Sequence, residues 1–202
     1  MKQNNWFDPF FILENLSEED KLIKKNVMDF SNKVLRPIVI KDNRNHCFDK
    51  NIYKEFGNLG LLGSTIKGYG GGEASNTAYG LIAYEIEKID SSYRSSISVQ
   101  SSLVIHPIDT FGTKEQKEKY LPDLISGHKI GCFGLTESEA GSDPSSMKTT
   151  YKKHQDGYVL NGSKNWITNS PIADVFIIWA LNESHETNSI KGFILDKNIN
   201  GL

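Results

Sequence analysis

Only two cysteines, Cys47 and Cys132, occur among 202 residues, which excludes a disulfide-held scaffold and a Cys-rich metal site. No apolar run approaches the roughly 20 residues that span a bilayer. Charge of one sign is also missing. Lys and Arg total 23 against 25 Asp and Glu, whereas a dedicated nucleic-acid binder carries a basic excess. The histidines His46, His106, His128, His154 and His185 include no pair four apart, neither cysteine forms C-x-x-C, and there is no G-x-S-x-G elbow. A signal peptide would need a longer apolar stretch than Phe10–Leu13, and Asp8, Glu14, Glu18 and Glu19 argue against an Arg-rich transit peptide. What remains is 38% hydrophobic and 10% aromatic, a globular composition. For 22.7 kDa, size scaling predicts a compact surface of roughly 9,500 Å².

The first half reads as helical. Ser17 and Asp20 resemble a capping box, and Leu22, Ile23, Val27, Phe30, Val34 and Leu35 follow on one helical face. Arg36-Pro37 predicts the end of that helix. Ile52, Tyr53, Phe56 and Leu59 fit a second helix running into Gly60 and Gly63, and Ala78 to Ile89 a third. Between them, Ile66–Ser75 carries four glycines without a Walker Lys-Ser/Thr pair, so these glycines are assigned to helix entry and tight packing. Thr113 and Gln116 form another capping box, predicting a short helix through Tyr120. His106, on an apolar stretch before Pro107, is expected to pack in the core.

The periodicity changes after Gly127. Lys129–Leu135 reads as a strand that buries Cys132; Met147, Thr149 and Tyr151 alternate. Asp156-Gly157 signals a turn, Asp174–Ala180 is a continuous apolar strand, Asn182–Ser189 a polar loop, and Phe193–Leu195 opens another strand. Helices first and strands second, without βαβ alternation, predict an α+β chain: an all-helical domain over 1–127 and an antiparallel β domain over 128–202.

Three stretches could carry chemistry. The serine-dense run SSYRSSISVQSS contains Arg94, which is either a solvent-facing charge or a carboxylate clamp assisted by Ser95 or Ser98. Arg94 and Ser98 stand four apart, on one helical face. The loop LTESEAGSDPSS offers Thr136, Ser138, Ser142, Ser145 and the open backbone around Gly141, a surface suited to phosphate or to a flavin's carbonyl edge, or simply to water. In NGSKNWITNSP, Trp166 is flat and apolar and Thr168 follows on the same strand face.

CFGLTESEAGSDPSSM followed by NGSKNWITNSPIADVFIIWA resembles the middle domain of the acyl-CoA dehydrogenase family, with Ser138 where that pattern usually has proline. GNLGLLGSTIKGYGGGEASNTAYGLIAYEIEKID resembles the family's helical N-terminal domain, and SSYRSSISVQSSLVIHPI resembles its glutaryl-CoA dehydrogenase branch. The resemblance implies FAD as cofactor, with Phe133, Leu135, Thr136, Gly141, Ser142, Trp166, Ile167 and Thr168 on the flavin surface. It implies that Arg94, Ser95, Ser98, Ser142 and Thr168 meet the acyl-CoA, Arg94 holding the far carboxylate of glutaryl-CoA. It further implies decarboxylation to crotonyl-CoA, electron-transfer flavoprotein as acceptor, a homotetramer at full length, and a bacterial cytoplasmic or mitochondrial-matrix setting, with no nucleic acid and no membrane span. In such enzymes a glutamate base lies in a C-terminal helical domain, and further strands follow the position of Leu202. None of Glu85, Glu87, Glu137 or Glu139 matches that base. These 202 residues are therefore expected to form an incomplete β domain and to be inactive alone.

Overall fold

The computed structural model describes residues 8–184 and 189–202. Residues 1–7, and with them part of the N-terminal WFDPF segment, lie outside the described residues, as do residues 185–188 of the expected polar loop, His185 included.

Helix α1 (Glu18–Phe30) begins where the capping chemistry places it: the Asp20 N–H donates to Ser17 Oγ at 3.0 Å. Asp20 also receives the hydroxyl of Ser75 at 2.9 Å, and Ser75 itself caps α4 (Asn76–Glu87). One aspartate thus joins two helix starts, and Lys24 on α1 meets the buried carboxylate of Glu85 on α4 at 2.9 Å.

Pro37 does not end the first helix. A π-helical stretch, Ser31–Leu35, carries the chain into α2 (Arg36–Arg44), with the Arg36 N–H reaching Ser31 O. The same device recurs further on, where α5 (Ser91–Ser98) widens through Val99–Ile105 into α6 (His106–Phe111) and the His106 N–H reaches Ser101 O. Both wide turns end two residues before a proline, Pro37 and Pro107. A proline ring clashes with the carbonyl four residues back, and a widened turn moves that carbonyl aside. The extra residue also changes the buried face. After Phe30, Leu35 turns inward at 0% exposure while Val34 turns out to 37%. Leu22, at 58% exposure, is likewise off the buried stripe. His106 is exposed, not packed in the core, because the helix carrying it buries Val104, Ile105 and Ile108 instead.

Short helix α3 (Ile52–Asn58) buries Ile52, Tyr53 and Phe56. The glycine segment after it is a close-approach turn: a Cβ on Gly71 would stand 2.3 Å from Ile66 O. Helix α7 (Lys114–Ile125) opens with both halves of the Thr113–Gln116 capping box and runs past Tyr120, accommodating Pro122.

Among the described residues the sheet has five strands: β1 (Gly131–Gly134), β2 (Thr150–His154), β3 (Gly157–Asn161), β4 (Val175–Asn182) and β5 (Ile190–Asp196). It is mixed, not uniformly antiparallel. β1 and β2 run parallel to β4, while β3 pairs β2 and β5 pairs β4 in antiparallel fashion. β5 takes one edge of β4 along its length, so β1 and β2 share the other, end to end. β1 pairs at Val175–Ile178 and β2 at Leu181–Asn182. The loop between β1 and β2 therefore leaves and rejoins the same edge. The sheet is open, consistent with an incomplete β domain of the expected fold.

Helices and sheet share one core, in which Val175 and Ile177 join Leu35, Phe56, Ile105 and Leu124. Gln100, fully buried, latches the halves together. Its amide donates to Leu124 O and Lys129 O at 2.8 and 2.9 Å, and its oxygen accepts from Gly131 N at 2.8 Å. The accessible surface is 12666 Å², about a third above the roughly 9,500 Å² of a compact chain of this mass. No helix among the described residues is long and apolar enough to cross a membrane.

Candidate functional site

β1 delivers Phe133, half-buried and edge-on to Trp179 with ring centres 6.0 Å apart, and then the loop that opens with Leu135 and Thr136. Cys132 is buried in β1, and burial pushes its thiol up to about 12, so it is inert at neutral pH. Of the loop hydroxyls, Ser138 accepts from the Asn165 amide at 3.0 Å, and Ser145 and Ser146 both donate to Asp143. Those hydroxyls hold the Asp143 carboxyl below its ordinary range. Thr136 and Ser142 are left without a side-chain hydrogen bond among the described residues, Ser142 being exposed next to Gly141.

The expected strand carrying W-I-T is instead a turn. Trp166 sits at φ 61 with its indole 91% exposed, Ile167 is half-buried, and Thr168 is exposed at the turn before Asn169. Trp166 and Thr168 thus share a turn, not a strand face. The reason lies beside them: Asn169, also left-handed at φ 71, ties the turn to β1 through its amide on Gly131 O at 3.1 Å. Asn165 ties it to the loop, its N–H donating to Thr136 O at 2.9 Å.

Under these segments lies an ion pair. Lys164 Nζ meets Glu137 Oε1 at 2.7 Å, with side chains only 7% and 10% exposed. The carboxylate also accepts the N–H groups of Lys148 and Thr149 at 2.6 and 3.0 Å. Burial opposes its ionisation, but the hydrogen bonds from Lys164, Thr149 and Lys148 prevail and hold the carboxyl at about 2. The Lys164 stem crosses Gly134, where a Cβ would lie 3.4 Å from Lys164 Cγ and 2.5 Å from Ile178 Cδ1.

On the helical side, Arg94 is paired, not merely solvent-facing: its Nε donates to Glu87 Oε2 at 2.6 Å. The Ser91 hydroxyl and Arg94 together lower the Glu87 carboxyl. The two Nη groups of Arg94 have no acceptor among the described residues. The serines divide in the same way. Ser91, Ser92, Ser96, Ser101 and Ser102 are bound to Glu87, Asp90, Ser92 O, the Gly63 N–H and Tyr79. Ser98, on the Arg94 face, and its neighbour Ser95 are half-buried and make no side-chain hydrogen bond among the described residues. Arg94 opens onto a shallow depression with Gly80, Ala83, Tyr84, Glu87 and Lys88. No hydrogen bond joins this group to Trp166 or Thr168. The nearest link is buried Tyr53, lying by Ser96 and Asn169 without closing a bond, its phenol pushed up to about 12 by burial.

Sequence reasoning missed Lys164, Asn165, Asn169 and Glu87 as site members and saw Glu137 only as a motif residue. The signal available was Lys164, the one charge in NGSKNWITNSP, set against Glu137, Glu139 and Asp143 in LTESEAGSDPSS. No group of three or more metal-ligating side chains forms among the described residues.

A helical bundle joined through one core to an open mixed sheet, with a hydroxyl-bearing loop clasped to an aromatic turn, defines an α+β chain with a loop-built face. Residues 17–128 match the acyl-CoA dehydrogenase N-terminal domain, and residues 132–202 match the acyl-CoA dehydrogenase middle domain. The chain belongs to the acyl-CoA dehydrogenase family. It is similar to a glutaryl-CoA dehydrogenase from Mycobacterium smegmatis, with 40% identity and a TM-score of 0.91, covering 96% of this chain and 50% of that one. A structure of a glutaryl-CoA dehydrogenase from the same organism in complex with FADH2 gives 38% identity and 0.91, over 95% and 49%. The short-chain-specific acyl-CoA dehydrogenase of Megasphaera elsdenii is 37% identical over 194 residues, 93% of this chain and 51% of the relative. The chain spans about half the length of the relatives it matches.

Proposed function

We propose that these residues form the flavin- and acyl-CoA-binding front half of an FAD-dependent acyl-CoA dehydrogenase acting on a short acyl-CoA, with glutaryl-CoA as the preferred substrate. The observation that carries this reading is the partition of polar groups. Ser138, Ser145, Ser146, Ser91, Ser92, Ser96, Ser101 and Ser102 are bonded within the chain. Thr136, Ser142 and Thr168 near the exposed Trp166 turn, and Ser95, Ser98 and the Arg94 Nη groups on the helical side, make no side-chain hydrogen bond among the described residues. A flavin fits that set, since its ring takes an aromatic neighbour and its carbonyl edge takes hydroxyl and N–H donors. Phe133, Leu135, Thr136, Gly141, Ser142, Trp166, Ile167 and Thr168 would hold it.

FAD supplies the two-electron acceptor for α,β-dehydrogenation of the thioester. The chain's own part is binding and orientation. Arg94, steadied by Glu87, presents its free edge to the distal carboxylate, with Ser95 and Ser98 beside it. Distal binding energy then positions the reacting carbons. Loss of carbon dioxide to give crotonyl-CoA, electron delivery to an electron-transfer flavoprotein and tetramer formation belong to the same reading. No glutamate among these residues is assigned the base, so the 202-residue chain alone is not expected to turn over.

Arg94→Ala tests the clamp. With FAD present, glutaryl-CoA binding to the purified chain is expected to weaken about 10- to 100-fold, the range of a charged hydrogen bond worth about 1.5–3 kcal/mol, with butyryl-CoA binding unchanged. Equal losses for both ligands favour the alternative, a dehydrogenase for another short acyl-CoA. Binding of neither ligand, together with co-purification of a separately encoded helical partner, favours the other alternative, a non-catalytic chain acting through assembly with a partner chain.

A further inference from the structure

We propose that Glu137 and Lys164 are the positioning pair of the flavin-facing surface, their buried contact fixing the direction in which Thr136 presents its N–H and hydroxyl. This rests on the flavin reading above and adds two residues to it that touch no ligand themselves.

The geometry is specific to the loop. Lys164 Nζ donates to Glu137 Oε1 at 2.7 Å and to Leu135 O at 3.0 Å, and Met147 Sδ stands 3.9 Å away. Glu137 in turn holds the N–H groups of Lys148 and Thr149. The clasp therefore grips both ends of the excursion between β1 and β2. Every one of these partners lies in the loop, in its return to β2, or in the segment before Trp166; none comes from the helical half.

Peptide planarity carries the effect outward. In a trans peptide the carbonyl and the following N–H point in opposite directions. With Leu135 O drawn inward to Lys164, the Thr136 N–H faces away from the clasp. Thr136 O is fixed by the Asn165 N–H at 2.9 Å, so the residue is held from both sides while its N–H and hydroxyl stay free. Two buried charges are a costly way to stabilise a fold, since an apolar pair of equal volume often does as well. They are a good way to set a direction, because each oxygen and each N–H has a defined partner. The carboxyl, held at about 2, keeps its charge throughout the neutral range.

The test uses the full chain and four single variants: Lys164→Met, Glu137→Gln, Lys164→Arg and Glu137→Asp. In the absence of FAD, amide exchange is expected to speed up at Lys148 and Thr149 in Glu137→Gln and Lys164→Met, with the helical half unchanged. With FAD, both variants are expected to lose at least 10-fold in affinity and to alter the visible spectrum of the bound flavin. Lys164→Arg is expected to recover to within about 3-fold of the parent. The double variant Glu137→Gln/Lys164→Met is expected to lose no more than the worse single one. If Lys164→Met fails to fold, Glu137→Asp, which keeps the charge but shortens its reach, carries the test with an expected loss of at least 3-fold. The proposal is overturned if folded Lys164→Met or Glu137→Asp binds FAD within 2-fold of the parent with an identical spectrum. It is also overturned if affinity falls only in step with faster exchange across the helical half. Failure of the parent chain to bind FAD refutes the flavin reading instead, and unchanged exchange at Lys148 and Thr149 then refutes the clasp separately.

Discussion

Gln100→Leu is the sharpest test of how the helical half holds the sheet. The side chain is fully buried and makes three hydrogen bonds across the junction. Leucine has nearly the same volume, so the cavity contribution is small. Of the three partners, Leu124 O keeps a second donor in the Gly127 N–H at 3.3 Å. The buried Gly131 N–H and the partly buried Lys129 O are left without a partner. At about 1–3 kcal/mol for each orphan, the substitution costs about 2–6 kcal/mol. That is a large share of the roughly 5–15 kcal/mol that holds a domain together. At about 2–4 °C per kcal/mol for a chain of this size, the melting midpoint should fall by about 4–24 °C. Thermal unfolding followed by circular dichroism measures this, and hydrogen exchange should show the Gly131 amide opening earliest. A shift below about 2 °C would refute the assignment of Gln100 as the latch.

Two other outcomes follow from the site. The Glu137 carboxyl is lowered in the folded chain from its ordinary 4.5 to about 2, so its stabilisation is complete above pH 4.5 and is lost as pH falls toward 2. The whole effect is on the order of 3 kcal/mol; melting temperatures taken from pH 5 to pH 3 should fall more steeply for the parent than for Glu137→Gln, and parallel curves would contradict the assignment. Trp166→Gly relieves a bulky residue held at φ 61 and removes an indole that is 91% exposed. It should raise stability by about 1 kcal/mol in urea titrations while weakening FAD binding, and a loss of stability would show that the indole packs on the chain itself.

Helix starts were legible because their chemistry is local: Ser17 and Thr113 bond to residues three positions on, and the spacing alone reveals it. Helix ends were not. Arg36-Pro37 carries a stop signal that a wide π turn defeats, and whether such a turn forms depends on the packing of Phe30 and Leu35 against the core. His106 was misplaced for the same reason, since the wide turn before Pro107 decides which residues face inward. In the β half, strand existence was readable from apolar runs, but direction was not. The parallel pairing of β1 and β2 with β4 depends on long connections that periodicity does not describe. The W-I-T segment reads like a strand, yet hydrogen bonds from Asn165 and Asn169 to residues 29 and 38 positions away turn it into a loop. The free hydroxyls of Ser95 and Ser98 could be named from the serine run, but only the fold shows that their neighbours are already occupied.

The central claim is that these residues build a face for flavin. Titration of the purified 202-residue chain with FAD, followed through flavin absorbance and tryptophan fluorescence, tests it most directly. Saturable binding of one FAD per chain, lost in Trp166→Ala at unchanged melting temperature, is the predicted result. A chain that folds, shows no saturable binding, and responds to FAD identically with and without Trp166 would contradict it.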